Sequence, residues 1–213
     1  MCEPDAAGFV LAGGRSSRMG VDKALVEFRG RPLVVHALGI LHEAGLAASI
    51  AGSRSALSAY APVVEDAESG LGPLGGICAA MASTTARWAV FVPVDLPLLP
   101  ASLVRYLVND ARVAGRAITI ASVNGFAETF PVVLERAVLS GLQSELDAGR
   151  GGCFSAFQAA AAALGQAVKV VGADLLAQNG QVVHPGGLPV ASWFFNINSA
   201  EDLRRAEALF PAV

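Results

Sequence analysis

The chemistry of this chain is concentrated in the string Leu11-Ala12-Gly13-Gly14-Arg15-Ser16-Ser17-Arg18-Met19-Gly20-Val21-Asp22-Lys23. A short apolar run, Phe9 to Ala12, feeds directly into a glycine loop that carries three cations. Glycines let main-chain N–H groups lie against phosphate oxygens. Arg15, Arg18 and Lys23 can neutralise the charge gathered there. The combination points to a site that handles a nucleoside triphosphate. It is not a Walker loop, which needs a Gly, four residues and then Gly-Lys-Ser/Thr. Nor is it a dinucleotide fingerprint, because the adjacent Gly13-Gly14 pair and the basic content do not fit Gly-x-Gly-x-x-Gly.

A second constellation lies in Phe91-Val92-Pro93-Val94-Asp95-Leu96-Pro97-Leu98-Leu99-Pro100. Here one carboxylate ends an apolar run and sits between prolines that stiffen the chain on both sides. Ligands of open α/β sheets bind at the carboxyl ends of strands. Asp95 is a hard oxygen ligand suited to Mg²⁺ carrying phosphates. The competing reading is an Asp that caps the following helix. A third segment runs Val63-Val64-Glu65-Asp66 and then Gly70-Leu71-Gly72-Pro73-Leu74-Gly75-Gly76. It offers a carboxylate beside a helix start, where the N-terminus favours anions. The alternative there is an ordinary acidic turn. A fourth runs Phe195-Asn196-Ile197-Asn198-Ser199-Ala200-Glu201-Asp202-Leu203. Asn196 and Asn198 alternate along an extended stretch and so share a face, unless Asn198 and Ser199 simply start the last helix.

The Leu11–Lys23 string resembles the signature of the molybdenum cofactor guanylyltransferases, a branch of the nucleotidyltransferase superfamily. Their pattern reads Leu-Ala-Gly-Gly-x-Ser-x-Arg-Met-Gly-x-Asp-Lys, and every fixed position is met. The related cytidylyltransferases carry Leu-Ala-Ala-Gly, so Gly13 resembles the guanine-using branch. The resemblance implies that GMP is moved from GTP to the terminal phosphate of molybdopterin, with release of pyrophosphate. It implies nucleotide contacts at Leu11, Ala12, Gly13, Gly14, Lys23, Asp66 and Asp95. It implies catalytic charge stabilisation by Arg18 and Lys23, and Mg²⁺ held on Asp95. Asn196 and Asn198 resemble a closing Asn-x-Asn-Thr-Pro-Glu-Asp/Glu-Leu motif, which places them on the acceptor side of the cleft. Docking with molybdenum cofactor delivery proteins is a partnership the resemblance admits. The chain departs from the family at two places. Glu128-Thr129-Phe130-Pro131 stands where the family tends to show His-Pro or a similar pair. Ala51 stands where the family has an Asn, so that a nucleotide contact is either missing or supplied by Ser53.

These residues need a scaffold, and the composition allows one. The chain has 213 residues, 54% of them hydrophobic and 15% charged, with a net charge of −3. That length suits one domain. The expectation is a single nucleotidyltransferase domain over residues 1–213, with a nucleotide half to about residue 100 and an acceptor half beyond. The negative balance gives nucleic-acid binding no electrostatic support. No apolar run reaches the roughly 18 residues of a membrane span, and residues 1–7 do not show a basic stretch followed by an apolar one. The expectation is therefore a cytoplasmic protein with no membrane partner. Cys2, Cys78 and Cys153 have no metal-ligand spacing and read as reduced thiols.

Short apolar runs alternate with helical patterns. Strands are expected over Gly8–Ala12, Ala47–Ala51, Pro62–Val64, Trp88–Val94, Ala117–Ser122, Thr129–Leu134 and Ala167–Val171. Helices are expected over Pro32–Ala44, Pro73–Ser83, Ala101–Asp110, Leu134–Asp147, Phe154–Leu164 and Ser199–Phe210. The alternation implies a three-layer α/β/α Rossmann-like fold around a mainly parallel sheet. The polar, Gly/Pro-rich stretch Asp174–Pro189 reads as a long loop or small excursion. His36, His42 and His184 lie outside the strong motifs, and structural or surface roles are expected for them.

Overall fold

The structure is a computed structural model that describes residues 5–12, 22–52, 55–65 and 71–210. Its strands are β1 (Ala6–Leu11), β2 (Glu27–Phe28), β3 (Arg31–Pro32), β4 (Ala47–Ala51), β5 (Val63–Val64), β6 (Trp88–Pro93), β7 (Ile118–Val123), β8 (Phe126–Glu135) and β9 (Lys169–Gly172). The α-helices are α1 (Leu33–Glu43), α2 (Gly72–Ala82), α3 (Ala101–Ala114), α4 (Leu139–Asp147), α5 (Cys153–Ala163), α6 (Ala173–Gln178), α7 (Val190–Trp193) and α8 (Ala200–Ala208). Seven strands form one sheet in the order β5-β4-β1-β6-β8-β7-β9. Only β8 runs antiparallel to its neighbours, β6 and β7.

Helices cover both faces. On one side a core of Val10, Leu33, Leu41, Val90, Leu103 and Trp193 packs under α1 and α3. On the other, Phe9, Phe91, Leu74, Ile77, Leu142 and Phe157 pack under α2, α4 and α5. Every residue from Trp88 to Val92 is buried, as expected of a strand covered on both faces. Phe9 and Phe91 are direct partners in the β1–β6 register and stack with ring centres 5.3 Å apart.

The strand order matters for function. From β1 the chain moves through α1 to β4 and β5 on one side, whereas α2 carries it back to β6 on the other. The order therefore reverses between β1 and β6, and the crevice at the carboxyl ends of those two strands is where such sheets bind ligands.

Several boundaries differ from the sequence expectation. The helix expected over Leu134–Asp147 is not continuous: β8 runs to Glu135, a 3-10 turn spans Arg136–Val138, and α4 starts at Leu139. Leu134 is held in the ladder by Ala89 on one side and Ile118 on the other. The stretch Asp174–Pro189 is not all loop, because α6 occupies its beginning. Its later part is anchored to the first turn of α3, where the Ser102 hydroxyl donates to the Val183 carbonyl at 2.8 Å. Helix α3 is one turn longer than expected and stops at Gly115 in the left-handed conformation, φ 59°.

Candidate active site

Two chain segments leave the sheet at the β1–β6 switch point. The Leu11 carbonyl accepts from the Val94 N–H at 3.1 Å, and the Ala12 N–H donates to the Ala51 carbonyl at 3.1 Å. Leu11 and Ala12 are both buried. Their main-chain groups thus hold the floor of the crevice together. The Ala12 N–H is already taken, against the expectation that it contacts the nucleotide. Gly13, Gly14, Arg15, Arg18, Ser53 and Asp66 lie outside the described residues.

The chain returns at Asp22. Its side chain accepts from the Ala24 N–H at 3.0 Å and caps a 3-10 turn over Lys23–Leu25. Asp, Asn, Ser and Thr serve this purpose because a short side-chain oxygen can reach back to an unpaired N–H. The cap fixes the direction in which Lys23 leaves the main chain. Lys23 Nζ lies 2.7 Å from Asp95 Oδ2 and 2.5 Å from Asn198 Oδ1. Residues separated by 72 and 175 positions in sequence therefore meet at one ammonium group. The side chains of Lys23 and Asp95 are 20% and 21% exposed, so the pair is largely shielded but still reachable from the crevice.

Asp95 is positioned by its backbone. It follows β6 directly, and its carbonyl accepts from the Ile197 N–H at 3.0 Å. It does not cap the next helix: the N-cap of α3 is Pro100, and α3 starts at Ala101. The carboxylate is thus left for side-chain chemistry. Asn196 and Asn198 are exposed on either side of buried Ile197, which is the expected alternation. They separate in role, because Asn196 Nδ2 donates to the Phe194 carbonyl at 3.3 Å while Asn198 reaches Lys23. Asn198 also starts the last helix. Its N–H donates to Asp202 Oδ2, and the Ser199 hydroxyl and the Asp202 N–H complete a reciprocal cap on α8. Those hydrogen bonds hold the Asp202 carboxyl below its usual range, the Ser199 hydroxyl contributing most. The sequence motif for Asn198 was readable, but its Lys23 partner was not. The Asp22 cap could have been found from the rule that Asp favours the residue before a helical turn.

A metal can be tested against these residues. Among the described residues there is no group of three or more His, Cys, Asp or Glu that could hold one. A protein-only cage is therefore not offered. Mg²⁺ does not require one, since it keeps waters and substrate phosphates and needs only one or two carboxylates. The Lys23 ammonium already sits between a carboxylate oxygen and an amide oxygen. Lys23 bonds Asp95 through Oδ2, and Oδ1 has no partner among the described residues; it is a hard donor that such a cation accepts, so Asp95 fits.

A family model described as the MobA-like NTP transferase domain matches residues 8–163. A molybdenum cofactor guanylyltransferase of Xanthomonas euvesicatoria pv. vesicatoria is 46% identical over 107 residues, which are 49% of this chain and 54% of that protein. The chain thus spans about half the length of that relative. A molybdenum cofactor guanylyltransferase of Shewanella loihica is 36% identical over 153 residues, covering 68% of this chain and 77% of that one. The crystal structure of molybdopterin-guanine dinucleotide biosynthesis protein A from Archaeoglobus fulgidus superposes with a TM-score of 0.75 at 20% identity. It covers 95% of this chain and 97% of that one, a likeness of fold. With a family model over most of its length, and a relative above 30% identity covered over three quarters, the chain belongs to the family of MobA-like NTP transferase domains.

Proposed function

We propose that this chain transfers GMP from GTP to the terminal phosphate of molybdopterin, forming the guanine dinucleotide and releasing pyrophosphate. The observation that carries the reading is the meeting of Lys23, Asp95 and Asn198 at the β1–β6 switch point. The names of its relatives supply the base and the acceptor. Residues 1–213 would act as one domain, with the nucleotide on the side of β1 and β4 and the acceptor on the side of Asn196.

The acceptor is a phosphate monoester with a second pKa of about 6. It is mostly a dianion at neutral pH and needs no base to attack phosphorus. His36 Nε2 and His184 Nε2 are bonded elsewhere, to the Phe28 and Leu98 carbonyls. What the reaction needs is alignment and neutralisation of charge. Lys23 Nζ has three N–H donors, and two point at Asp95 and Asn198. The third has no partner among the described residues and would meet an oxygen of the α-phosphoryl group. Arg18 would add a second positive charge on the pyrophosphate side, with Gly13, Gly14 and Asp66 completing the nucleotide contacts. Asp95 would hold Mg²⁺. The metal would supply charge neutralisation across the phosphates when bound.

The test is pyrophosphate release from GTP, CTP and ATP with molybdopterin as acceptor. Turnover should be selective for GTP and lost in Asp95→Ala. Equal turnover with CTP would remove the guanine assignment, and near-normal turnover of Asp95→Ala in saturating Mg²⁺ would remove the metal assignment.

A further inference from the structure

A cavity of about 410 Å³ opens beside α1, between the β2–β3 hairpin, the Pro97–Ala101 segment, the His184–Gly186 turn and Phe210. None of Leu11, Ala12, Lys23, Asp95, Asn196 or Asn198 lines it. Its volume falls within the range of small-molecule sites.

The charge at this cavity is out of keeping with the rest of the chain. The protein carries a net charge of −3, yet Arg29 and Arg31 both line the opening. Neither belongs to any ion pair among the described residues. Glu43 is the one acidic residue on the wall. It lies seven residues along α1 from His36, about 10 Å at the helical rise. The His36 imidazole is held below its ordinary pKa, first by burial and then partly by the charges of Arg31 and Arg29. Both guanidinium charges therefore bear on the imidazole.

The wall is also closely built. Arg29 adopts φ 50° and Gly30 φ 73°, a tight hairpin turn that points the Arg29 guanidinium over the Phe210 ring at 4.5 Å. A Cβ on Gly186 would come within 2.8 Å of the Phe210 ring and 3.3 Å of the His184 ring. His184 Nδ1 accepts from the Gly186 N–H at 3.0 Å while Nε2–H donates to the Leu98 carbonyl at 3.1 Å. The ring is therefore neutral and fixed. Four segments distant in sequence converge to place Arg29 on the Phe210 ring and Arg31 on the same wall, neither in an ion pair among the described residues. Guanidinium forks match phosphate oxygens in pairs and stack on rings.

We propose that this cavity is a second anion site, separate from the Lys23–Asp95 crevice, which binds a phosphate-bearing small molecule between Arg29 and Arg31. It does not depend on the base or acceptor assigned above. The bound phosphate is either free, as in pyrophosphate, or part of a nucleotide.

His36 gives a local readout that the catalytic crevice does not disturb. The full chain is titrated by imidazole NMR in chloride, with and without pyrophosphate, phosphate or GTP, at constant ionic strength and without Mg²⁺. Concentrations reach about 10 mM, tenfold above a millimolar site. A bound anion offsets the two arginines, so the His36 pKa should rise by about half a pH unit or more. The rise should vanish in Arg29→Gly/Arg31→Ser. Glycine keeps the positive-φ turn, and Arg31→Ser alone, at an exposed position, should diminish the rise. A rise with pyrophosphate only identifies a free-anion site; a rise with GTP as well identifies a nucleotide phosphate. The proposal is overturned if no anion moves His36, or if the rise persists in the double variant.

Discussion

Lys23 is the pivot of the site because one ammonium group answers to two oxygens and still has a donor to spare. Removing it leaves the Asp95 carboxylate without its counter-charge and the phosphates without a donor. The loss should fall mainly where charge builds up in the reaction. Lys23→Ala is therefore expected to lower kcat by about a hundredfold or more, with a smaller rise in KM for GTP. Asn198→Ala should be milder. The Lys23–Asp95 pair survives, and one hydrogen bond of about 1 kcal/mol is lost, so roughly a fivefold fall in kcat is expected. Steady-state kinetics on both variants decides this. An Asn198→Ala loss as deep as that of Lys23→Ala would mean that Asn198 acts on substrate and not through Lys23. Lys23 and Asp95 were legible in the sequence because each sits in a short string with its own chemical logic. The contact with Asn198 was not, because 175 residues separate the two partners. No local pattern carries that distance; it exists only because the Ile197 N–H binds the Asp95 carbonyl and draws the segment across the crevice.

At the scale of elements, Gly75 shows how close packing constrains a single position. It lies in the first turn of α2. A Cβ there would lie 2.6 Å from the Cβ of Leu71. The obstructing atom is fixed to the main chain, so rotation of a side chain cannot relieve it. Ala in a helix gains about 1 kcal/mol over Gly, whereas overpacking costs roughly 1–3 kcal/mol. Gly75→Ala should therefore destabilise the protein by up to about 2 kcal/mol, read as a lower urea midpoint. Adding Leu71→Gly removes the obstruction and should restore most of the loss. A stabilising single substitution would show that Leu71 is free to move. The long elements were readable for a related reason: β6 and α3 state their burial over six and fourteen residues. The β2–β3 hairpin, with two residues per strand, is too short to show any alternation. Its Arg29-Gly30 turn was the only local signal. Helix α6 was obscured by the polar, Gly/Pro-rich residues that follow it, and it owes its place to Ala173 and Leu176 in the core.

Across the whole molecule, the two bonded histidines tie the α1–α3 face to the C-terminal segment and make that attachment sensitive to acid. His36 links α1 to the hairpin through the Phe28 carbonyl. His184 joins the start of α3 to the Gly186 turn and packs near Trp193 and Phe210. Burial is the largest cause of the lowered pKa of both rings. The unfolded chain holds its histidines near the ordinary value of about 6.5. As pH falls below that value, the unfolded chain takes up protons before the folded one does. Stability is thus complete above about pH 6.5 and declines as pH falls through the lower folded values. Protonated His184 would also turn an N–H toward the Gly186 N–H and lose that bond. The urea midpoint should be flat from about pH 8 to 7 and should fall between about pH 6.5 and 5. Carboxylates held low, such as Asp202, give way only in more acid solution. His184→Gln retains a donor and an acceptor without the titration. It should lower the midpoint at neutral pH but flatten the acid decline, and His36→Gln should flatten it further. A decline of the same steepness in the double variant would assign the acid sensitivity to other groups and leave the two histidines as packing alone.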